Sequence, residues 1–236
     1  MRSLKIYITY KTVIPDQIQS SIAFVADILR ASNTIITAFA NGAKALYPAE
    51  SPDLAIRLKK DFPKAMLCGE RKAKILPGFD LGNSPFEYEK EIVSGKELIF
   101  ASTNGSKALL ASKPARKVAV SSFANLSAAL ELAKNHDNIS IVCSGVEGRF
   151  ALEDFYFAGY FAMSLARKIG DFEMNDQARV AKLFAENNPD ILETIKTAHH
   201  AKYLDSIGYS RDIEFASQVD KFDNVPIYKN GAVKSR

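Results

Sequence analysis

Short apolar runs alternate with segments of helical periodicity along most of the chain. Several runs, such as residues 139–143, are almost continuously apolar, which is typical of strands buried on both faces of a sheet. The pattern predicts strands at residues 4–9, 22–28, 43–47, 65–68, 97–101, 117–121 and 139–143.

Helical segments with recognisable start and stop signals lie between these strands. Asn41-Gly42 is a typical helix end, and Ser51 is a capping residue that is followed by Pro52 in the first turn. The predicted helices cover 34–40, a segment that begins at Ser51, 125–134 and 152–168. This alternation predicts a three-layer α/β/α fold with a mostly parallel or mixed central sheet.

The pattern changes after Gly170. Residues 176–186 and 189–198 have helical periodicity with no strand between them, which predicts a helical C-terminal part. Asp212-Ile213 indicates a short helix, and residues 225–228 indicate an edge strand. Because no linker rich in Gly, Ser or Pro interrupts the chain, we expect a single domain over residues 1–236, with a division into two sub-domains left open.

Composition and charge narrow the functional classes. The 236 residues include 31 Lys and Arg against 27 Asp and Glu, a net charge of +4, and the basic residues are spread along the chain. This distribution disfavours nucleic acid as a partner and suits a small anionic substrate. Cys68 and Cys143 lie in apolar runs, as buried reduced thiols do. No segment has the pattern of a signal peptide or a membrane span, so we expect a cytoplasmic protein with no membrane partner.

Polar clusters follow four of the predicted strands, where ligands bind in sheets of this type. After the second strand, Asp27 and Arg30 precede Ser32, Asn33 and Thr34 at the start of a helix. A helix N-terminus attracts anions, and the arginine fork matches phosphate or sulfonate oxygens. The alternative is a plain helix cap with a local pair between Asp27 and Arg30.

The second cluster lies beyond the predicted strand at residues 65–68. Glu70 and Arg71 precede a long loop rich in Gly and Pro, which contains Asp80 and Asn83. Loops of this length are often functional, although a turn-rich connector is the alternative.

The remaining clusters follow the strands at 97–101 and 139–143. Thr103-Asn104-Gly105 is a candidate oxyanion cradle, although the same residue types serve as helix caps. Ser144-Gly145 lies in a glycine-rich turn that leads to Glu153 and Asp154 in the first turn of a helix. The helix dipole favours acids there, so one of the two has a structural explanation.

Carboxylates from three of these clusters are candidate ligands for one cation. The acidic residues are Asp27, Glu70, Asp80, Glu153 and Asp154, with Arg30, Arg71 and Arg149 nearby. Hard oxygen donors in a chain with only three His, none of which lies in one of the polar clusters, fit Mg²⁺ better than Zn²⁺. The sequence therefore predicts a magnesium site facing an anionic ligand.

The clusters, in this order, resemble the 2-phosphosulfolactate phosphatase family of coenzyme M biosynthesis. The matching stretches are residues 27–35, 69–71, 77–85, 102–109, 143–145 and 152–155, with weaker matches at 212–213 and 225–226. The resemblance implies a three-layer α/β/α fold and Mg²⁺-dependent hydrolysis of 2-phospho-3-sulfolactate to sulfolactate and phosphate. The chain departs from the family pattern at Lys72-Ala73, where the family usually has Gly-Gly, and at Ser32 and Asn33, where it usually has more Thr.

The resulting hypothesis assigns a role to each candidate residue. Mg²⁺ is held by Asp27, Glu70 and one or both of Glu153 and Asp154 and contacts the phosphoryl group, while a carboxylate orients the attacking water. The catalytic residues are Asp27, Glu70, Asp154 and Arg30. The substrate-binding residues are Arg30, Ser32, Asn33, Thr34, Arg71, Asn83, Thr103, Asn104, Gly105, Ser144 and Gly145.

Two alternatives remain open at this stage. Cys143 and Arg149 have the Cys-x₅-Arg spacing of cysteine-based phosphatases, in which a thiolate attacks phosphorus. The same cradle would also suit a non-catalytic binder of an acidic metabolite, although carboxylates repel an anion unless a metal intervenes. The sequence leaves a homo-oligomer open, with the apolar helix face at residues 155–161 as a candidate contact.

Overall fold

The computed structural model describes residues 2–235, which form a mixed central sheet with helices on both sides. The strands are β1 (Ser3–Tyr7), β2 (Ile22–Ala26), β3 (Ala45–Ala49), β4 (Met66–Arg71), β5 (Lys74–Ile75), β6 (Glu97–Ala101), β7 (Lys117–Val120), β8 (Asn138–Cys143), β9 (Glu173–Met174), β10 (Ile227–Lys229) and β11 (Ala232–Lys234). The helices are α1 (Pro15–Ile18), α2 (Ala31–Ala40), α3 (Pro52–Asp61), α4 (Lys90–Val93), α5 (Gly105–Ala111), α6 (Leu126–Ala133), α7 (Leu152–Ile169), α8 (Asp176–Glu186), α9 (Ile191–Thr197), α10 (His199–Ser206) and α11 (Ser210–Ala216). The predicted three-layer α/β fold is confirmed.

The sheet consists of two parallel groups joined by a hairpin. Its strand order is β5-β4-β6-β3-β11-β10-β7-β2-β8-β1-β9. Strands β4, β6 and β3 are parallel to one another, as are β7, β2, β8, β1 and β9. The hairpin β10–β11 pairs antiparallel with β7 on one side and β3 on the other. Because three successive antiparallel pairings separate β3 from β7, the two groups run in opposite directions.

Helices α2 and α5 pack on one face of the sheet across both groups. Their shared core contains Ile35 of α2 and Leu109 of α5, together with Val25 of β2 and Phe100 of β6. A Cβ on Gly105, the first residue of α5, would lie 2.5 Å from the Ala31 Cβ and 2.8 Å from the Asp27 Oδ2. Only a glycine allows the starts of α5 and α2 to approach this closely. The segments that follow β2 and β6 therefore meet, although these strands belong to oppositely directed groups.

The opposite face is covered by α6 to α11 over one group and by α3 over the other. Phe157 and Phe161 of α7 are fully buried, and the Phe161 ring lies 5.0 Å from the Phe24 ring of β2. This apolar face, a candidate subunit contact in the sequence, instead packs inside the chain. Within residues 2–235, no helix combines the length and apolarity required to cross a bilayer.

Most predicted elements are present with slightly shifted ends, and β6 and α8 have their predicted bounds. The expectation of an edge strand at residues 225–228 is wrong, because β10 lies inside the sheet and pairs on both sides. The sequence pattern also does not predict α5, α10 or β11. The single domain over residues 1–236 stays a prediction.

Candidate active site

A cavity of about 660 Å³ lies where the segments after β2, β6 and β8 meet the β4–β5 turn and α10. This volume is within the range of small-molecule sites. The residues that line it are Asp27, Leu29, Arg30, Glu70, Arg71, Lys72, Ala73, Asn83, Thr103, Asn104, Val146, Glu147, Arg149, His199, His200 and Tyr203. Eight residues that the sequence places in polar or charged clusters are among them. The clusters therefore converge, as expected.

Asp27 follows β2 and caps α2 at the cavity wall. Its Oδ1 accepts the Ala31 N–H at 3.0 Å, and its backbone oxygen accepts the Ser32 N–H at 2.9 Å. The start of α2 is thus capped by a carboxylate, so the predicted anion site at this helix N-terminus is already filled by the protein. Burial raises the pKa of Asp27 to about 6, and the nearby Glu70 carboxylate also raises it.

Glu70 lies near the end of β4 and faces the same cavity. Its Oε1 accepts the Thr103 N–H and its Oε2 accepts the Ala73 N–H, both at 2.9 Å. Lys72 and Ala73 form the tight β4–β5 turn, and both adopt positive φ, 51° and 60°. Two backbone donors therefore fix the carboxylate, while each oxygen keeps a lone pair for another partner.

Glu153 and Asp154 lie behind Asp27 in the first turn of α7 and do not line the cavity. Asp154 accepts the Ile28 N–H at 2.8 Å through Oδ1 and the Gly145 N–H at 2.9 Å through Oδ2. Burial raises the pKa of Glu153 to about 7, helped by Asp27, and raises that of Asp154 well above its usual range, helped by Glu153 and Asp27. Burial together with neighbouring like charge therefore disfavours ionisation of both Glu153 and Asp154.

The Arg30 side chain is buried at the cavity wall and already has protein partners. Its Nη1 donates to Asp212 Oδ2 at 2.7 Å, and its Nη2 donates to the Ala73 carbonyl at 2.8 Å. The guanidinium also lies over the Tyr209 ring, 4.2 Å from its centroid. The sequence alternative of a local Asp27–Arg30 ion pair is wrong, because the partner of Arg30 is Asp212.

The residues after Arg30 stabilise the loop and lie outside the cavity. Ser32 Oγ accepts the Asp27 N–H at 2.9 Å and donates to the Val25 carbonyl at 3.2 Å. Asn33 Nδ2 donates to the Ile28 carbonyl at 2.9 Å, and Thr34 Oγ1 donates to the Asn83 carbonyl at 2.8 Å. None of the three lines the cavity, and their hydrogen bonds instead shape the segment that carries Asp27 and Arg30.

The predicted backbone cradle is largely occupied by bonds within the protein. The Thr103 N–H donates to Glu70, and the Ser144 N–H donates to the Ala26 carbonyl at 2.8 Å. The Gly145 N–H donates to Asp154, and Gly105 serves the close approach of α5 to α2. Ser144, Gly145 and Gly105 do not line the cavity. Their predicted role as direct substrate ligands does not fit these positions.

Side-chain atoms supply the free polar groups instead. Asn83 Oδ1 and Thr103 Oγ1 are buried at the cavity wall and have no hydrogen-bond partner in the part of the chain that the structure describes. Arg71 and Arg149 also border the cavity, Arg149 paired at 3.1 Å with Glu147 on its exposed rim. Asp80 lies outside, where its carboxylate accepts the Leu67 N–H at 2.8 Å.

Comparison with known proteins identifies the family of this site. A model of the 2-phosphosulpholactate phosphatase family matches residues 7–231. A probable 2-phosphosulfolactate phosphatase of Thermotoga petrophila is 40% identical over 210 residues, 89% of each chain. One of Caldanaerobacter subterraneus subsp. tengcongensis is 37% identical over 236 residues, 98% of each chain. The chain belongs to the 2-phosphosulfolactate phosphatase family.

Family membership confirms the predicted enzyme class, a phosphoric monoester hydrolase. A third relative, the probable 2-phosphosulfolactate phosphatase of Clostridium perfringens, is 38% identical over 225 residues and covers 93% of this chain and 91% of its own. These similarities support an enzyme and not a non-catalytic binder of an acidic metabolite.

The two buried carboxylates that line the cavity, Asp27 and Glu70, are oxygen donors of the kind that a hard cation such as Mg²⁺ prefers. Within residues 2–235, no three Asp, Glu, His or Cys side chains converge as a metal-binding group. Mg²⁺ is usually held by one or two carboxylates together with waters and substrate phosphate. Asp27 and Glu70 both line the cavity, and the charge of Glu70 raises the pKa of Asp27, whereas both Asp154 oxygens already accept backbone N–H groups.

The cysteine-based alternative does not fit this phosphatase. Cys143 is fully buried and absent from the cavity lining, and burial raises its thiol pKa well above the usual range, helped by Asp154 and Glu153. The turn after it folds on itself, since Val146 and Arg149 exchange backbone hydrogen bonds of 3.0 and 2.9 Å. The buried thiol therefore does not face the cavity, and two of the N–H groups of the following turn are already used within that turn.

The variant Cys143→Ser is therefore expected to keep kcat/KM within about threefold of the wild type, because a buried, protonated thiol does not act as a nucleophile. Steady-state phosphate release measures this. A control variant, Cys68→Ser, replaces the second buried thiol. Loss of turnover in Cys143→Ser alone, with its fold intact, would reinstate the cysteine mechanism.

Sequence reasoning missed the contribution of the helical C-terminal part to the site. His199, His200 and Tyr203 of α10 line the cavity, and the Tyr203 hydroxyl donates to the Lys72 carbonyl at 3.1 Å. Burial lowers the pKa of His200, and the charge of Arg30 lowers it further. The one available signal was that adjacent histidines occur in a chain with only three.

Proposed function

We propose that this chain hydrolyses 2-phospho-3-sulfolactate, or a closely similar phosphorylated hydroxy acid, to the hydroxy acid and phosphate with the help of Mg²⁺. The observation that carries the proposal is one cavity that Asp27 and Glu70 line together with several basic side chains. Two carboxylates alone would repel a phosphate ester, whereas a cation between them and basic groups beyond them would bind it.

The names of the relatives support the substrate. Each of the three relatives described above is named a probable 2-phosphosulfolactate phosphatase. That ester carries a phosphate, a carboxylate and a sulfonate, so it requires several positive partners. The cavity supplies Arg30, Arg71, Lys72 and Arg149, and it is large enough to enclose such a molecule.

The chain's own residues have separable roles in this proposal. Asp27 and Glu70 would hold Mg²⁺, which when bound neutralises charge on phosphoryl oxygens and lowers the pKa of water. Backbone N–H groups of Ala31, Ala73 and Thr103 fix the two carboxylates before substrate arrives. Such preorganisation is the main source of electrostatic catalysis, because the donors need no reorientation during the reaction.

Binding groups complete the site. Arg30 orients acidic oxygens through its planar fork, and the unpaired Thr103 hydroxyl can donate to a further oxygen. Glu153 and Asp154 lie outside the cavity and act on Asp27 indirectly. Asp154 accepts hydrogen bonds from the Ile28 and Gly145 N–H groups and so holds the segment that carries Asp27 in place.

A panel of phosphate esters tests the function. Released phosphate is measured for 2-phospho-3-sulfolactate, phospholactate, 3-phosphoglycerate and p-nitrophenyl phosphate, each with Mg²⁺ and with EDTA. We expect the highest kcat/KM for 2-phospho-3-sulfolactate and a loss of at least about a hundredfold in EDTA that Mg²⁺ restores. Equal rates in EDTA would remove the metal from the proposal, and preference for another ester would replace the substrate.

Magnesium is also expected to stabilise the protein more at pH 8 than at pH 5. Burial raises the pKa of Asp27 to about 6 and of Glu153 to about 7, whereas the unfolded values are near 4. Between about pH 4 and 7 the folded state therefore binds more protons than the unfolded state, so the free energy of unfolding falls as pH rises. Mg²⁺ offsets this loss only where protons no longer compete.

Thermal unfolding with and without Mg²⁺ at both pH values measures the effect. NaCl of equal ionic strength serves as the control, and Asp27→Asn should reduce the response. Equal stabilisation at pH 5 and pH 8 would contradict the assignment.

A further inference from the structure

We propose that Asp212 is a positioning residue for the phosphatase reaction, holding the Arg30 guanidinium at the cavity wall in the orientation that binds acidic oxygens of the substrate. The inference rests on the proposed function in one respect, that Arg30 binds substrate. It gives α11, which does not border the cavity, a defined part in catalysis.

The first observation is a buried ion pair between distant segments. Arg30 and Asp212 are each 3% exposed, and their Nη1 and Oδ2 atoms lie 2.7 Å apart. A buried ion pair seldom stabilises a fold more than apolar residues of the same volume would. Stability alone therefore does not explain why a guanidinium lies here, whereas a need for positive charge at the cavity does.

The second observation is that the guanidinium plane is fixed by three contacts. Asp212 and the Ala73 carbonyl accept from Nη1 and Nη2, while the Tyr209 ring lies against the plane at 4.2 Å from its centroid. Arginine has five N–H donors, so these two hydrogen bonds leave others for a ligand. The orientation of those donors depends on Asp212, because it is the charged partner of the group.

The third observation links Asp212 to a second part of the cavity wall. Its Oδ1 accepts the Ser84 hydroxyl at 2.8 Å. Ser84 follows Asn83, whose unpaired Oδ1 lies at the wall and whose carbonyl accepts from Thr34. One carboxylate thus fixes both Arg30 and the segment that carries Asn83.

A double-mutant cycle tests whether Asp212 acts through Arg30. Arg30→Gln, Asp212→Asn and the double variant are assayed for kcat and KM, and for binding of inorganic phosphate by calorimetry. We expect each single variant to lose about 30-fold or more in kcat/KM, which is the scale of a lost charge-assisted contact. The kcat/KM of the double variant should be no more than about threefold lower than that of Arg30→Gln, because Asp212 has no guanidinium left to position once Arg30 has been replaced.

Chemical rescue provides a measurement that would not depend on Asp212 if this residue served only to stabilise the fold. Arg30→Ala leaves a hole beside Asp212, and millimolar guanidinium is expected to restore part of the activity and of the phosphate affinity. Guanidinium should not rescue Arg30→Ala/Asp212→Asn. This double variant removes both buried charges together, which a fold tolerates better than the loss of one partner. Glu214→Gln, an exposed change in the same helix, should leave both measurements unchanged.

Three results would overturn the proposal: wild-type kcat/KM in Asp212→Asn, losses that multiply in the double variant, or equal rescue with and without Asp212. Failure of the substrate proposal is recognised separately, because the wild type would then not cleave 2-phospho-3-sulfolactate. In that event the cycle and the rescue are measured with p-nitrophenyl phosphate and through phosphate binding.

Discussion

Asp27→Asn is expected to lower kcat/KM about a thousandfold, or about 4 kcal/mol of transition-state stabilisation, without unfolding the protein. The amide oxygen can still accept the Ala31 N–H that Asp27 Oδ1 accepts at 3.0 Å, so the cap of α2 survives. The cavity then loses the negative charge that the proposed metal requires. Because burial opposes ionisation of Asp27, the variant should be as stable as the wild type at pH 8 or more stable.

Opposite effects on rate and stability distinguish a functional carboxylate from a structural one. Steady-state phosphate release and thermal unfolding are measured on the same samples. Asp53→Asn, in the exposed first turn of α3, is the matched control and should change neither quantity. A variant that is much less stable but fully active would assign Asp27 to the fold alone.

Asp154→Asn is expected to lose about a hundredfold in kcat/KM and about 3 kcal/mol of stability. Its two oxygens accept the Ile28 and Gly145 N–H groups at 2.8 and 2.9 Å, and an amide must turn its NH₂ toward one of these donors. One buried N–H then loses its acceptor, and the segments after β2 and β8 separate. Asp27 moves with the first of these segments.

Thermal unfolding should show a midpoint lower by roughly 9 °C for a chain of this size. Asp176→Asn is the matched control, since Asp176 occupies the first turn of α8 but is exposed. Loss of activity without loss of stability would instead favour Asp154 as a direct metal ligand. Wild-type behaviour in both measurements would contradict any role for the paired hydrogen bonds.

The periodicity of the chain predicts the layers and most strands, because strands buried on both faces are almost continuously apolar. Glu97–Ala101 illustrates this, since its predicted and observed bounds agree. The polar clusters also identify most of the cavity wall. The direction of the strands alone does not explain why the clusters converge, however, because β2 and β6 belong to groups that run in opposite directions. Contact between α2 and α5 across Gly105 brings their ends together, and that contact has no local signal.

Residue type also does not reveal which polar groups remain free. Ser32, Asn33 and Ser144 have the chemistry of a phosphate cradle, but the fold uses their hydrogen bonds internally. Conversely, Asp212 and His200 lie in a helical segment far from the clusters in sequence, and only packing brings them to Arg30. Such assignments depend on long-range contacts, which a one-dimensional pattern does not contain.

The position of the β10–β11 hairpin has a consequence for how the polypeptide acquires its shape during synthesis. Residues 227–234 lie between two strand groups that are complete long before them in sequence. Until this hairpin leaves the ribosome, β3 and β7 each present an unpaired edge, and such edges promote aggregation of nascent chains. The middle of the sheet, and not its edges, is therefore the part that is completed last during synthesis.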